Sequence, residues 1–169
     1  LPLAPARPTI VDAGCGTGLL GPPLRSSVTR LVGADLSQNM VDKASELGCY
    51  DSLVVGDLLD AALYDDLGLP TRYQLIAAAD VLCYFGDLKA ILTTWHSALD
   101  VGGDCVFSCE RVPGDMWVLG ASGRYAHAVD YVRATAEGAG FAVVAAEDIV
   151  PRVENGNDVL GTLYVLSKS

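Results

Sequence analysis

The chain has 169 residues, the length of one domain with a single hydrophobic core, and we expect residues 1–169 to form that one domain. Hydrophobic residues make up 51% of it and glycine is abundant, which is typical of compact α/β proteins and excludes a disordered chain. The net charge of −10 disfavours binding to nucleic acid or to an anionic membrane. Because no apolar run reaches about 18 residues and no signal peptide is recognisable, we expect a soluble, cytoplasmic protein.

The metal-binding side chains are few and scattered. Five cysteines, an odd number without a C-x-x-C pair, are expected to be reduced thiols. With His96 and His127 as the two histidines, we expect no metal site.

Short apolar runs alternate along the chain with longer segments of helical periodicity. The predicted strands are Thr9–Ala13, Arg30–Asp35, Ser52–Gly56, Tyr73–Ala79, Asp104–Cys109, Phe141–Val150 and Thr162–Ser167. The predicted helices are Gly18–Ser26, Ser37–Leu47, Ala61–Leu67, Leu88–Leu99 and His127–Ala139. Alternation of this kind predicts a doubly wound, mostly parallel sheet with helices on both faces.

Several local signals refine these elements. The last two predicted strands are joined by Arg152–Gly161, which is too short and polar for a crossover, so they should pair antiparallel. Ser37 is the predicted N-cap of the second helix, and the Gly-Gly pair at 102–103 is predicted to end the fourth helix before the next strand. The Pro-Pro pair at 22–23 should leave the first helix short or irregular.

The most informative segment is Asp12–Gly18, which reads DAGCGTG directly behind an apolar strand. Glycine lacks a Cβ atom, so such a loop can take positive φ angles and let a ligand approach the main chain closely. The helix that follows is expected to offer unpaired N–H groups to polar ligand atoms. The loop therefore predicts a nucleotide-like cofactor, although a G-x-G pattern alone does not identify it.

Aspartates follow the next three predicted strands, at the sheet edge where doubly wound proteins bind ligands. Asp35 lies 19 residues after Gly16, the spacing at which a carboxylate can accept hydrogen bonds from both hydroxyls of a ribose. Asp57 is placed to accept a bond from the exocyclic amine of a purine, and Asp80 ends the fourth strand. Each carboxylate alone is also explained as a helix cap or a solvated loop charge. Together, behind a glycine loop, they predict a cofactor site.

A nicotinamide or flavin dinucleotide is the rival cofactor, because residues 16–21 also read G-x-G-x-x-G. That register would place Gly14 and Asp12 inside the strand, which weakens it. A pyrophosphate also prefers neutral donors or cations, whereas this edge of the sheet is lined with carboxylates. A cationic cofactor without phosphate fits these residues better, and an NAD-dependent oxidoreductase is kept as an alternative.

These residues resemble the class I S-adenosylmethionine-dependent methyltransferases over nearly the whole chain. The segments that carry the resemblance are 12–18, 34–40 with the pattern Ala-Asp-Leu-Ser-x-x-Met, and 56–58 with Gly-Asp-Leu. The resemblance implies a Rossmann-like sheet of seven strands in the order 3-2-1-4-5-7-6, with an antiparallel last strand. It also implies S-adenosyl-L-methionine as the methyl donor and S-adenosyl-L-homocysteine as the product.

The resemblance further implies roles for individual residues. The glycine loop would hold the methionine part, Asp35 the ribose and Asp57 the adenine amino group, while Met40 would pack near the adenine and Asp80 would lie near the sulfonium. The implied cofactor-binding residues are Asp12, Ala13, Gly14, Cys15, Gly16, Gly18, Asp35, Leu36, Met40, Gly56, Asp57, Leu58, Ala79 and Asp80.

A closer resemblance is to methyltransferases associated with tetratricopeptide repeats. It rests on residues 16–22 (GTGLLGP), 79–88 (ADVLCYFGDL) and 123–127 (GRYAH). The repeats are absent from these residues, so the chain is expected to be either the methyltransferase domain of a longer protein that carries such repeats or a naturally shortened relative. The first residue, Leu1, is not an initiator methionine, which agrees with the first of these expectations.

Methyl transfer from a sulfonium requires alignment and exclusion of water more than it requires a protein nucleophile. A base helps when the acceptor must lose a proton, and the weak candidates are His127, Tyr84, Tyr125 and Glu110. Asp80 is a weak catalytic candidate because a carboxylate stabilises a nearby cation, although it would also hold the ground state. His127 is equally explained as a residue that starts a helix and hydrogen-bonds within its loop.

The acceptor is constrained mainly by what the sequence lacks. The loop after the fourth strand, residues 80–84, reads DVLCY and not the Asn/Asp-Pro-Pro-Tyr that amine-methylating nucleic-acid enzymes use to hold a flipped base. We therefore expect a small organic molecule or a protein side chain as acceptor, and no nucleic acid. Arg111–Arg124 is expected to form a loop on the substrate side or to pack into the core. A cofactor-binding interaction module without activity is the second alternative.

Overall fold

The computed structural model describes residues 8–66 and 72–169. Within these ranges nine strands form one sheet. The strands are β1 (Thr9–Ala13), β2 (Arg30–Asp35), β3 (Ser52–Val55), β4 (Tyr73–Ala78), β5 (Leu99–Arg111), β6 (Trp117–Leu119), β7 (Tyr125–His127), β8 (Phe141–Glu154) and β9 (Asn157–Lys168). The helices are α1 (Gly21–Arg25), α2 (Gln38–Ser45), α3 (Ala61–Asp66), α4 (Lys89–Ala98) and α5 (Val129–Gly138), with a 3-10 turn at Leu82–Tyr84.

The long strands follow the predicted order. β3, β2, β1, β4 and β5 are parallel neighbours, whereas β9 pairs antiparallel with β5 and β8 pairs antiparallel with β9. Without the two short strands, this order is 3-2-1-4-5-7-6 in the numbering of the seven predicted strands, so the predicted fold and its antiparallel last strand are confirmed. The connection between the last two strands is a tight hairpin, with positive φ angles at Asn155 and Gly156.

The prediction of seven strands was incomplete, because residues 111–124 contain part of a second hairpin. β6 pairs antiparallel with β7, and β7 pairs parallel with Glu110 and Arg111 at the end of β5. At Glu110, β9 pairs with one edge of β5. β7 therefore pairs with the opposite edge, which β4 occupies as far as Phe107. The hairpin therefore stands beside the loop that follows β4.

Four helices differ from their predicted bounds, and one of them, α2, is shorter at both ends. The predicted end of the third helix at Leu67 lies outside the described residues. α4 ends at Ala98, and the Gly-Gly pair at 102–103 lies inside β5, where the register against β4 shifts and Gly102 has a φ of +77°. The glycines thus form a bulge in a strand and do not end the helix. α5 begins at Val129, because residues 125–127 are taken by β7. α1 has five residues with proline in its first turn, which confirms the short first helix.

The core lies between the sheet and its helices. β1 and β2 are almost entirely buried, as expected for parallel strands with both faces covered. The largest fully buried side chains include Trp95 on α4 and Phe107 on β5. The five cysteines are free. Among the described residues, no helix combines the length and the apolar character that crossing a membrane requires.

Phe107 shows how strongly this core depends on one aromatic ring. The ring is 1% exposed and stacks on Tyr164 at a centroid distance of 5.3 Å. Phe107→Ala is expected to lower the free energy of unfolding by about 3–5 kcal/mol, because it removes buried area and leaves a cavity. Val101→Ala, at a position on the same strand that is 79% exposed, is the control and should cost about 0.5 kcal/mol. Denaturant titration of both variants measures the difference, and similar losses would contradict this account of the core.

Candidate functional site

A cavity of about 660 Å³ opens at the carboxyl ends of the parallel strands. The loops after β1, β2, β3 and β4 all contribute to it, because the carboxyl ends of parallel strands meet at one edge of the sheet. Four of the lining residues are aspartates. The lining consists of Asp12, Gly14, Cys15, Gly16, Thr17, Leu19, Leu20, Asp35, Leu36, Ser37, Met40, Asp57, Leu58, Ala79, Asp80, Val81, Tyr84 and Phe85.

The glycine loop after β1 is fixed to the neighbouring strand by its own backbone. Gly14 N–H and Cys15 N–H both donate to the carbonyl oxygen of Ala34 at 2.8 and 3.0 Å. Gly14 and Gly16 have positive φ angles of +72° and +53°, which L side chains rarely adopt. The following helix, α1, has five residues and begins only at Gly21, so its N-terminus lies beyond the glycine loop. The backbone of Gly14 and Gly16 lines the cavity instead.

Asp35 connects the glycine loop to the start of α2. Its Oδ2 accepts a hydrogen bond from Gly16 N–H and its Oδ1 accepts one from Ser37 N–H, both at 2.9 Å. An ionised carboxylate has about four acceptor positions, so two remain for a ligand in the cavity. Ser37 occupies the predicted N-cap position of α2, although its side chain makes no capping hydrogen bond.

Asp12 lies buried below the loop, where its carboxyl group is 1% exposed and accepts a 2.6 Å hydrogen bond from the Tyr50 hydroxyl. Burial raises the pKa of Asp12 to about 6, although the bond from Tyr50 opposes the shift and the nearby Asp35 adds to it. Burial also raises the pKa of the neighbouring Cys15 thiol to about 12, so this thiol stays protonated at neutral pH.

The pKa of Asp12 gives the stability of the cofactor-free protein a pH dependence. Between about pH 4 and pH 6 the native state keeps a proton that the unfolded chain has released, so stability falls as the pH rises through this range. The contribution is about 3 kcal/mol over the full range. Asp12→Asn removes it, so the unfolding free energy of wild type should fall relative to that of this variant as the pH rises from 4 through 6. Denaturant titrations at several pH values measure it, and a difference independent of pH would contradict the raised pKa.

The remaining aspartates have different surroundings. Asp57 is exposed and its Oδ1 accepts a 2.9 Å bond from Leu59 N–H, which forms a turn after β3. Asp80 has a φ of +57°, which is unusual for a residue other than glycine, and it forms an ion pair with Arg124. Apolar side chains on the rim complete the cavity, with Leu36 73% exposed and Met40 38% exposed.

Most of the predicted cofactor residues lie together around this cavity, and three of them do not line it. Ala13 is buried within β1, Gly18 faces Leu47 of the segment after α2, and Gly56 packs on Leu63. The sequence analysis missed the lining residues Thr17, Leu19, Leu20, Ser37, Val81 and Phe85. All six lie inside the segments that carried the resemblances, and this position was the signal that could have found them.

The candidate bases are placed very differently from one another. Tyr84 lines the cavity and is 65% exposed. His127 is 1% exposed and does not line it, and its Nε2 lies 2.8 Å from the carbonyl oxygen of Phe85 and 3.1 Å from that of Gly86. Burial lowers the pKa of His127, so the imidazole is neutral and holds the loop after β4.

Two further candidates belong to the framework beside the cavity. Tyr125 on β7 packs edge to face on Trp117 at a centroid distance of 5.3 Å. Glu110 accepts hydrogen bonds from Arg124 at 2.7 Å and from Arg152 at 2.6 Å. Burial would raise the pKa of Glu110, but the two guanidinium groups outweigh it and hold this pKa below its usual range. Arg124, which the sequence analysis did not name as a site residue, thus joins the end of β5 to Asp80.

The chain is similar to known methyltransferases. Residues 11–105, more than half of the chain, match the family model of the methyltransferase domain. Over 99 residues, 59% of this chain, it is 27% identical to the malonyl-[acyl-carrier protein] O-methyltransferase of Hamiltonella defensa. The match spans 36% of that relative's length.

Solved structures show the same fold. An S-adenosylmethionine-dependent methyltransferase from Mesorhizobium loti superposes with a TM-score of 0.71 at 24% identity, covering 95% of this chain and 91% of that one. Magnesium protoporphyrin IX methyltransferase from Synechocystis PCC 6803, solved with bound S-adenosylmethionine, gives 0.71 at 20% identity, covering 97% and 71%. The chain therefore belongs to the methyltransferase domain family, in the class I fold of the S-adenosylmethionine-dependent enzymes.

Proposed function

We propose that the cavity binds S-adenosylmethionine and that the chain transfers its methyl group to a small-molecule or protein acceptor. The observation that carries this proposal is the pairing of the glycine loop with Asp35, whose carboxylate holds the loop and keeps acceptor positions free. A sulfonium cofactor is positively charged and has no phosphate, which suits a cavity lined by four aspartates.

The residue roles proposed here are those that the family resemblance implies, and the residues concerned line the cavity. Asp35 would accept hydrogen bonds from the ribose hydroxyls, and the backbone of residues 14–16 would hold the methionine part. Leu36 and Met40 would cover the adenine, and the exposed carboxylate of Asp57 would accept a bond from its amino group. Asp80 would lie near the sulfonium. When bound, S-adenosylmethionine supplies a methyl group activated by the positive charge on sulfur.

Two other functions remain as outcomes of the test. A dinucleotide-dependent oxidoreductase would be stabilised by NAD, and an inactive interaction module would bind S-adenosylhomocysteine without methylating any acceptor. Melting temperatures with S-adenosylhomocysteine and with NAD separate the first alternative, because the proposal expects a rise with the former alone. A screen of amine, hydroxyl, thiol and carboxylate acceptors with labelled S-adenosylmethionine separates the second. A chain that binds the cofactor product and methylates no acceptor would contradict the enzymatic proposal.

We also propose that this domain is part of a longer chain that carries tetratricopeptide repeats and acts in the cytoplasm. Two of the three segments behind that resemblance contact each other, since Arg124 pairs with Asp80 and His127 holds the loop at Phe85. These segments therefore form one unit beside the cavity, which supports a shared role. The mass of the protein isolated from its natural source tests the proposal. A mass that residues 1–169 fully account for would contradict it.

A further inference from the structure

The end of the cavity beside β5 differs in charge from the rest. None of the described residues that line the cavity is lysine or arginine. Arg124, which precedes β7, reaches in from outside this lining and forms an ion pair with Asp80. Its guanidinium carbon also lies 5.3 Å from the centre of the Tyr84 ring. Arg124 therefore places a guanidinium group beside the cavity at Asp80 and Tyr84, in a cluster that also contains Glu110 and Arg152.

The hairpin holds Arg124 in a defined place. Gly120 N–H donates to the carbonyl oxygen of Arg124 at 2.8 Å, which closes the hairpin turn. Trp117 and Tyr125 pack on Gly86 so closely that a Cβ atom there would lie 3.0 Å from both rings. The hairpin is thus fitted against the loop after β4, and the side chain of Arg124 is 17% exposed.

The guanidinium group of Arg124 has donors to spare. Its Nε donates to Glu110 at 2.7 Å, one terminal nitrogen donates to Asp80, and the other has a long contact of 3.4 Å to the Tyr84 hydroxyl. Because a guanidinium group has five N–H donors, two remain on its terminal nitrogens. Two such donors in one plane match the two oxygens of a carboxylate.

Three titratable groups near Arg124 are already engaged in hydrogen bonds or ion pairs and are therefore poorly placed to accept a proton from an acceptor. The imidazole of His127 is buried and bonded to the backbone, and Glu110 is held ionised by two arginines. Asp80 is paired with Arg124, and Arg152 lies 3.6 Å from the same Asp80 oxygen. An acceptor that is already an anion at neutral pH needs no such base.

We propose that the acceptor is a carboxylic acid, that Arg124 binds its carboxylate, and that this carboxylate is the group methylated. This inference rests on the proposed methyltransferase function. One carboxylate oxygen forms the new bond to the methyl carbon while the bond from that carbon to sulfur breaks. The electron pair of the broken bond stays on sulfur, which yields a methyl ester and a neutral thioether. No proton is released, and the negative and positive charges cancel within a partly apolar cavity, where such a cancellation is favoured.

The test measures carboxylate binding to the protein loaded with S-adenosylhomocysteine. Hexanoate and 3-phenylpropionate are titrated by ligand-observed NMR, each against its matched primary amide. The acids are expected to bind wild type about 10-fold more tightly than the amides, since a charge-assisted pair of hydrogen bonds is lost in the amide. Arg124→Gln should remove this preference, and the titrations are made with the variant saturated with S-adenosylhomocysteine. Arg133→Gln, which removes an equal charge from the exposed face of α5, should keep the preference.

The results separate this inference from the function it rests on. If wild type does not bind S-adenosylhomocysteine, the proposed function itself fails. If it binds the product but shows no preference for acid over amide, or if the preference survives in Arg124→Gln, the carboxylate inference is overturned.

A second variant and a second readout cover the remaining cases. Should Arg124→Gln fail to fold, Arg124→Lys keeps the charge without the planar donors and should reduce the preference at least about threefold. An unchanged preference would overturn the proposal. With methyl-labelled S-adenosylmethionine, the acid that binds more tightly should give a product that releases labelled methanol in alkali. Absence of that release would overturn the carboxylate as the methylated group.

Discussion

Asp35→Ala is expected to weaken S-adenosylhomocysteine binding by about 100-fold, which corresponds to roughly 3 kcal/mol. The loss has two sources. The variant cannot accept hydrogen bonds from ribose hydroxyls, and it also releases Gly16 N–H and Ser37 N–H, which fix the glycine loop and the start of α2. Isothermal titration calorimetry measures the affinity, and circular dichroism checks that the variant is folded.

Asp60→Ala is the matched control for this experiment. Asp60 also accepts a hydrogen bond from the N–H two residues later, Ala62, at 2.9 Å, but it does not line the cavity. Its replacement should leave the affinity within about twofold, because the local turn contact alone does not touch the ligand. Asp35→Asn should fall between wild type and alanine, since its single oxygen can replace only one of the two acceptors. An Asp35→Ala variant that binds as tightly as wild type would show that the ribose assignment is wrong.

Gly14→Ala is expected to lower the free energy of unfolding by about 2–4 kcal/mol, from left-handed backbone strain and overpacking together. Gly14 has a φ of +72°, and an added Cβ atom would lie 2.5 Å from a methyl carbon of Val81. Val81 is buried in the loop after β4, so the two loops would have to separate. The same separation would deform the cavity that both residues line, and S-adenosylhomocysteine binding should be lost with the stability.

Gly16→Ala separates strain from overpacking. Gly16 also has a positive φ, of +53°, but an added Cβ atom would meet no atom within 4 Å. It should therefore cost only the strain, about 1 kcal/mol. The double variant Gly14→Ala/Val81→Ala should lose less unfolding free energy than the two single variants lose together, because the smaller side chain at position 81 leaves room for the added methyl group. Equal losses for Gly14→Ala and Gly16→Ala in denaturant titrations would contradict the close approach of the two loops.

The sheet was predictable from the sequence because its signals are local. Apolar runs marked β1 and β2 to the residue, and the short polar connection before β9 was enough to predict its antiparallel direction. The grouping of the aspartates followed from the same order, since strand ends in a parallel sheet share one edge. The charge and the spacing of these aspartates also favoured a cationic cofactor without phosphate over a dinucleotide.

The errors arose where long-range pairing overrode local composition. Residues 111–124 read as a loop because β6 and β7 have three residues each, and β7 joins the main sheet only through the extra length of β5. The Gly-Gly pair at 102–103 reads locally as the end of a helix, but the pairing of Leu99 with Tyr73 begins the strand earlier. Arg124 belongs to the GRYAH segment, but no role in the site was predicted for it from the sequence, because its role depends on the hairpin that brings it to Asp80.

Calorimetric titration of S-adenosylhomocysteine into the wild-type chain tests the central claim most directly. The account predicts saturable binding of one molecule per chain, since a single cavity brings the glycine loop together with the aspartates. It also predicts no binding of NAD under the same conditions. A folded chain that releases no heat with S-adenosylhomocysteine and gives no rise in melting temperature with it would contradict the account.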